Sequence, residues 1–335
     1  MELRHETFTS EILDPAVDFE PRAGSVEVRW DPLTGYAARI VSTPRPLRPP
    51  SALDLTTLAA DTQRGCPFCA GQIESATPRL PAAIHPEGRI QRGEAVLFPN
   101  LVTYFQHCAV CVYSASRHHL PLELMTPRLV ADNLSAQAEY LGRVLQRDPG
   151  AAWTSINANH MLPSGSSVFH PHMQAAADPA PSTMQALLAG VPAERCRDYV
   201  DTERRLGARY IAGTGCVDWL ASYAPMGFDE VRGFVAGPTC PSQLDAAQVE
   251  ELGFGISRTL NLYAELGHQS FNMALYGAPA ADRPGYVLSL RMVTRAHPQP
   301  HYRSDVMYSE RMHWQAMVDE LPETTAERAR AHFGS

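Results

Sequence analysis

Apolar residues recur along this chain with two different periods, and the switches between them outline a mixed α+β protein. Alternation by two marks strands. Val26, Val28 and Trp30 alternate with polar neighbours, Asp31-Pro-Leu-Thr-Gly35 supplies a turn, and Tyr36 to Val41 runs back, which predicts a hairpin over residues 26–42. Further strands are predicted at Ala95–Phe98, Ala109–Tyr113 and Trp153–Asn157. From Thr126 to Gln146 the period becomes helical, with Leu129, Leu134, Tyr140, Leu141 and Val144 as apolar positions. The same plan then returns. Strands are predicted at Tyr210–Ala212, Val217–Tyr223 and Glu230–Val235, a helix from Asp245 to Leu266, and strands at Phe271–Tyr276 and Tyr286–Val293. Residues 1–25 show little periodicity and read as an extended arm, and Thr43 to Pro50 reads as a proline-rich loop.

Strands, a long helix and more strands therefore occur twice. The pattern predicts two tandem α+β units with antiparallel sheets packed against helices, over residues 1–185 and 186–335. The chemical motif is kept only in the first.

Composition narrows the chemistry. The net charge of -8 argues against a general nucleic-acid binder, which needs a broad basic surface. The chain has no lysine, so all 28 basic residues are arginine, the signature of a GC-rich genome. That excludes a Schiff base, a lysyl-nucleotide and a P-loop lysine. Phosphate chemistry must rest on arginine, histidine, backbone amides or metal. Seven cysteines in 335 residues do not form a disulfide framework, the polar start MELRHETFTSEILDP is no signal peptide, and no apolar run is long enough to span a bilayer. A cytoplasmic protein with reduced thiols is expected.

Two motifs carry chemistry. The first is Gly165-Ser-Ser-Val-Phe-His170-Pro-His172-Met-Gln174. A Gly/Ser loop can turn backbone N–H groups onto a phosphate. In the extended segment after it, His170, His172 and Gln174 should share one face. Neutral imidazole is a good nucleophile toward phosphorus near pH 7. Taken alone, His-x-His is more often a histidine pair on a structural strand or a surface metal site than a nucleophile. The second motif is Cys66-Pro-Phe-Cys69, a turn that presents two thiolates to one Zn²⁺, with His118 and His170 as candidates for the remaining ligands. A redox pair or two buried thiols are the alternatives. Cys108 and Cys111 sit on a predicted strand, which sends them to opposite faces and argues against a metal clasp. Arg45 and Arg48 lie in the proline-rich loop, where arginines are usually solvated.

In combination these segments resemble the galactose-1-phosphate uridylyltransferase family of the histidine-triad superfamily. The resemblance runs through Arg29-Trp-Asp-Pro-Leu-Thr-Gly35, Ile40 to Pro49, Gly65-Cys-Pro-Phe-Cys-Ala-Gly71, Phe98-Pro-Asn100, His107 to Tyr113, Ser116-Arg-His118 and Asn159 through Gln174, and in the second half through Glu203 to Ala212, Tyr223-Ala-Pro225, Glu230 to Val235 and Tyr276-Gly-Ala-Pro279. It implies two histidine-triad-like units and a homodimer. It also implies that His172 takes a nucleotidyl group, that Gln174 steadies the phosphoryl oxygens, and that Gly165, Ser166 and Ser167 line the phosphate pocket beside Asn159. Arg45 and Arg48 would face the phosphates, Asn100 the ribose and Phe68 the base. Cys66, Cys69, His118 and His170 would hold a structural zinc. Arg303 would stand in for a family lysine, and Gln315 falls on a family glutamine.

The departures bear on specificity. Tyr276, Leu290 and Met292 fall where the family places ligands of a second metal, so that site is expected to be absent. Met173 replaces a glycine. Ser309 stands where a sugar-binding glutamate is expected, with Glu310 beside it. The expected activity is transfer of a nucleoside monophosphate, with UMP the family default, between a nucleotide-sugar and a sugar 1-phosphate or similar phosphorylated acceptor. A nucleotide-sugar or dinucleotide phosphorylase, a hydrolase, and a non-catalytic zinc-stabilised nucleotide-binding protein are the rival readings.

Overall fold

The computed structural model describes residues 1–41, 54–279, 285–298 and 305–334. Ten strands form one antiparallel sheet. In spatial order they are β4 (Ile90–Arg92), β5 (Ala95–Pro99), β6 (His107–Val112), β8 (His172–Asp178), β7 (Trp153–His160), β12 (Phe271–Tyr276), β13 (Ser289–Thr294), β11 (Val231–Val235), β10 (Val217–Ala221) and β9 (Tyr210–Thr214). Each half is laid down in the same way. Three strands run inward from the edge and a long helix crosses over. The next strand takes the centre, and the last fills the gap. The crossing helices are α3 (Pro127–Arg147) and α6 (Ala246–Glu265). The duplicated plan predicted from periodicity is thus the topology of the sheet. The halves join where β7 pairs antiparallel with β12, setting Asn159 opposite Asn272 and Ser155 opposite Tyr276.

Both long helices begin with side-chain caps that satisfy otherwise open N–H groups. Thr126 accepts from Leu129, and Asp245 forms a capping box with Gln248. Leu134, Leu141, Leu252, Ile256 and Leu260 are buried in one core with Ile156, Met173, Leu275, Leu290 and Met292 from the sheet. Each such side chain contributes about 1.5–3 kcal/mol. The helices pack closely because α6 carries Gly253, where an added Cβ would come within 2.9 Å of the Pro127 carbonyl oxygen. Cys111 lies in this core and Cys108 on the other face of β6 by alternation, as the strand reading requires.

The opposite face of the large sheet is polar along a row. Gln174, Asn157, Ala274, Arg291 and Arg232 are successive cross-strand partners. A second, four-stranded sheet attaches on this side. Its order is β1 (His5–Asp14), β2 (Glu20–Trp30), β3 (Ala37–Val41) and β14 (Gln315–Val318), the last pair parallel. Its turn residue Asp31 reaches the large sheet, where its Oδ2 accepts from Arg232 and Arg291, each at 2.8 Å. Arg291 also donates to Glu230, closing a buried group of four charges. Residues 1–25 are therefore not an unpaired arm. Most of them form the β1–β2 hairpin, whose outer part is solvent-exposed on both faces and so carries no alternation. Shorter helices complete the fold: α1 (Thr56–Gln63), α2 (Ile73–Ala76), α4 (Thr183–Ala189), α5 (Ala193–Leu206), α7 (Tyr308–His313) and α8 (Pro322–Phe333).

Candidate active site and metal cluster

Cys66 and Cys69 sit in the turn between α1 and α2, His118 follows β6, and His170 lies two residues before the start of β8 at His172. The fold brings all four together, with one ligand atom from each lying within 4.8 Å of the others. His170 Nδ1 is 3.7 Å from both sulfurs, and His118 Nδ1 is 3.4 Å from Cys69 Sγ. A tetrahedral ion with bonds of about 2.0–2.3 Å has edges of roughly 3.3–3.8 Å, so these separations fit.

The far ring nitrogens are also arranged for metal binding. His170 Nε2 donates to the Ser114 carbonyl oxygen at 2.8 Å. The Thr62 hydroxyl gives its proton to the Leu58 carbonyl at 2.6 Å, so it accepts from His118 Nε2 at 3.0 Å. Both imidazoles therefore keep Nδ1 unprotonated and aimed at the sulfurs. Burial holds His170 down to about 4 and lowers His118 too, which keeps both rings neutral. Burial and the adjacent Cys66 push the Cys69 thiol up to about 11, so thiolates need a cation beside them here. The cluster could hold a metal ion, and its donor set and geometry fit.

The same segment positions His172. His172 Nδ1–H donates to the His170 carbonyl oxygen at 2.9 Å, which leaves Nε2 with a free lone pair. Phe68 packs edge-on against the His172 ring at 5.4 Å and lies tilted against Phe98 at 5.2 Å. Burial lowers the His172 pKa, which keeps the imidazole neutral. Gln174 projects from the same face of β8, opposite Asn157. Between β7 and β8 the loop turns on Met161 (φ 68°) and Gly165 (φ 96°), with Gly165 N–H donating to the Leu162 carbonyl at 2.9 Å. Gly165 and Ser167 are exposed, whereas Ser166 is buried and donates to the Val168 carbonyl at 2.7 Å. Asn159 Nδ2 faces Gly165, 3.9 Å from where a Cβ would stand.

No family model matches. An uncharacterized protein of Archaeoglobus fulgidus is 29% identical over 340 residues, spanning 98% of each chain. An ADP-glucose phosphorylase from Arabidopsis thaliana, solved with bound ADP-glucose, superposes with a TM-score of 0.67 at 17% identity, over 91% of this chain and 98% of its own. A uridylyltransferase superposes with a TM-score of 0.58 at 19% identity, over 92% and 98%. The chain has the uridylyltransferase fold.

Other expected site residues are placed unevenly. Arg45, Arg48 and Arg303 lie outside the described residues. Asn100 follows β5, with Nδ2 3.6 Å from Cys108 Sγ. Gln315 opens β14 on the small sheet, where its amide oxygen accepts from Arg39 at 2.7 Å. Leu290 and Met292 point into the helix-side core, whereas Tyr276 lies on the polar face with Arg291. The position sharing Tyr276's face is thus an arginine committed to Asp31 and Glu230. Sequence reasoning missed Ser114, Thr62 and Asn272. Asn272 had a signal: it is polar within a strand whose alternate residues Phe271, Met273 and Leu275 are core. No helix among the described residues is long and apolar enough to cross a membrane.

Proposed function

We propose that this chain is a nucleotidyltransferase related to the galactose-1-phosphate uridylyltransferases and works through a covalent nucleotidyl-histidine on His172. The observation that carries this reading is the orientation of His172. Its Nδ1–H is spent on the His170 carbonyl, so Nε2 is the nucleophile, and it lies on the same face of β8 as Gln174. In the first step Nε2 attacks the α-phosphorus of a nucleoside diphosphate-sugar. The N–P bond forms, the P–O bond to the sugar phosphate breaks, and sugar 1-phosphate leaves. In the second step an oxygen of a phosphorylated acceptor attacks the same phosphorus, and the N–P bond breaks. Gln174, Ser167 and the amides of the Gly165 loop would stabilise charge on the phosphoryl oxygens. Zinc, held by Cys66, Cys69, His118 and His170, would fix the strand start that carries His172 and take no part in the chemistry. In this reading the unit over residues 1–185 carries the nucleophile, the unit over 186–335 contributes to the pocket, and the protein is a cytoplasmic homodimer.

A second reading keeps the first step and makes inorganic phosphate the acceptor. The C-terminal segment favours it. Ser309 is only 1% exposed, and Glu310 lies 3.9 Å from Arg295, so neither residue is presented as a free sugar-binding carboxylate.

The test is intact mass after incubation with a panel of nucleoside triphosphates and nucleotide-sugars, without acceptor, for the wild type and His172→Ala. A nucleoside-monophosphate adduct on the wild type alone supports the reading, and the donor names the base. Adding sugar 1-phosphate or inorganic phosphate to the adduct then separates the two acceptors. Nucleotide binding with no adduct from any donor would sink both readings in favour of a binding protein.

A further inference from the structure

Asn272 stands opposite Asn159 where the two halves of the sheet meet, and its amide makes two hydrogen bonds. Nδ2 donates to the Ser164 carbonyl oxygen at 2.9 Å and to Asn159 Oδ1 at 2.7 Å. The order of these bonds matters. A backbone carbonyl can only accept, so Ser164 compels Asn272 to present its NH2 group rather than its oxygen. That NH2 group has a second hydrogen, and it points at Asn159. Asn159 must therefore meet it with Oδ1. Its own NH2 is left facing Gly165, on the loop that leads to His172.

We infer that Asn272, supplied by the second half of the chain, is a positioning residue for transfer at His172: it sets the rotamer sense of the Asn159 amide and pins the loop from Met161 to Gly165. This rests on the reading proposed above. Both loop residues with positive φ, Met161 and Gly165, lie within four residues of the carbonyl that Asn272 holds. Releasing that carbonyl frees the loop, and removing the donor at 272 lets the Asn159 amide turn over. The second unit would thus act on the phosphoryl group through one half-buried amide pair.

Asn272→Asp is the informative variant. It keeps the shape, but a carboxylate cannot donate, and it confronts the Ser164 carbonyl with like charge. The Asn159 amide would then turn its NH2 toward position 272 and away from the loop. Asn272→Ala serves as a second variant in case the charge impairs folding. Single-turnover adduct formation on His172 should fall roughly 10²-fold, the size of one lost donor to a developing phosphoryl charge. The decisive readout is a cycle with Asn159→Ala, because residues acting through one another are not additive. In an Asn159→Ala background, where only the bond to the Ser164 carbonyl is left to lose, the Asn272 substitution should lower the rate clearly less than it does in the wild type. Full additivity, or a silent Asn272→Asp beside a damaging Asn159→Ala, would overturn the inference while leaving the nucleotidyl-histidine intact. If the wild type forms no adduct, the proposed function fails on its own account. The cycle is then read in the affinity for a nucleoside diphosphate, where the same coupling supports the inference and additivity overturns it.

Discussion

His172 donates its Nδ1 proton to the backbone carbonyl of His170 at 2.9 Å, while the His170 side chain turns the other way, onto the two cysteine sulfurs. One dipeptide step thus links the metal cluster to the free lone pair on His172. The link is mechanical. Whatever fixes the His170 backbone fixes which nitrogen of His172 is bare.

On the proposed reading the Cys66, Cys69, His118 and His170 cluster holds a structural zinc, and its loss should act on stability first. Cys69→Ser removes one thiolate from the cluster and should drop bound zinc well below one per chain. The melting temperature should fall by roughly 10 °C or more, since structural zinc binding is folding free energy. The checks are metal analysis and calorimetry on the same preparation. A variant that lost zinc and activity yet melted like the wild type would point to a catalytic ion instead.

Gln174 should behave in the opposite way. It is half-exposed on β8, so Gln174→Ala should shift the melting temperature by only a few degrees. The rate of adduct formation should fall by about 10²–10³, as for removal of one donor from an oxyanion site. Rapid-quench measurement of the adduct with a saturating donor would show it. A rate near the wild-type value would remove Gln174 from the phosphoryl contacts.

The strongest parts of the site were legible because they are local. Cys66-Pro-Phe-Cys69 and His170-Pro-His172-Met-Gln174 each place their chemistry within a few residues, and β12 and α6 followed their periodicity closely. What escaped the sequence is contributed by distant segments. The four-residue strand β14 pairs with β3 from the other end of the chain. The charge group of Asp31, Glu230, Arg232 and Arg291 joins three separate stretches. The β1–β2 hairpin is exposed on both faces over most of its length, so no core imposed a pattern on it. Helix α5 alternates acidic and basic residues and buries only a narrow stripe. Residues 42–53, which include Arg45 and Arg48, are not among the described residues.

The Asp31 group is a stability device with a clear signature. Asp31 Oδ2 accepts from two nearly inaccessible guanidinium groups, while Oδ1 accepts from Leu33 N and Thr34 N within its own turn. Although burial opposes ionisation, Arg232 and Arg291 hold this carboxyl well below the usual carboxylate range. Asp31→Asn would leave two buried cations facing only Glu230. Breaking such a buried pair costs about 3–5 kcal/mol, so the melting temperature should drop by roughly 4–7 °C. A change of only a degree or two in differential scanning fluorimetry would show that the second half does not depend on the small sheet's turn.

His160 supplies a pH test that is independent of the reaction. It ends β7, stacks on Phe271 at 5.2 Å, and is buried. Burial, followed by the nearby His172 and His119, pushes its pKa down from 6.5 to about 3. The folded state therefore keeps His160 neutral where the unfolded chain would protonate it. For a histidine with a depressed folded pKa, the unfolded state binds more protons between the two values. Stability from this group is full above 6.5 and is lost as pH falls toward 3. The slope approaches about 1.4 kcal/mol per pH unit in the middle of that window. Other histidines titrate in the same range, so the informative quantity is a difference. Unfolding free energies from urea titration at pH 4.5, 5.5 and 7.5 should decline less steeply in His160→Gln than in the wild type, with the two curves converging toward acid. Parallel curves over that range would mean that His160 is protonated in the folded protein, and that its ring is reached by solvent through the cleft lined by Asp54, His119 and Glu123.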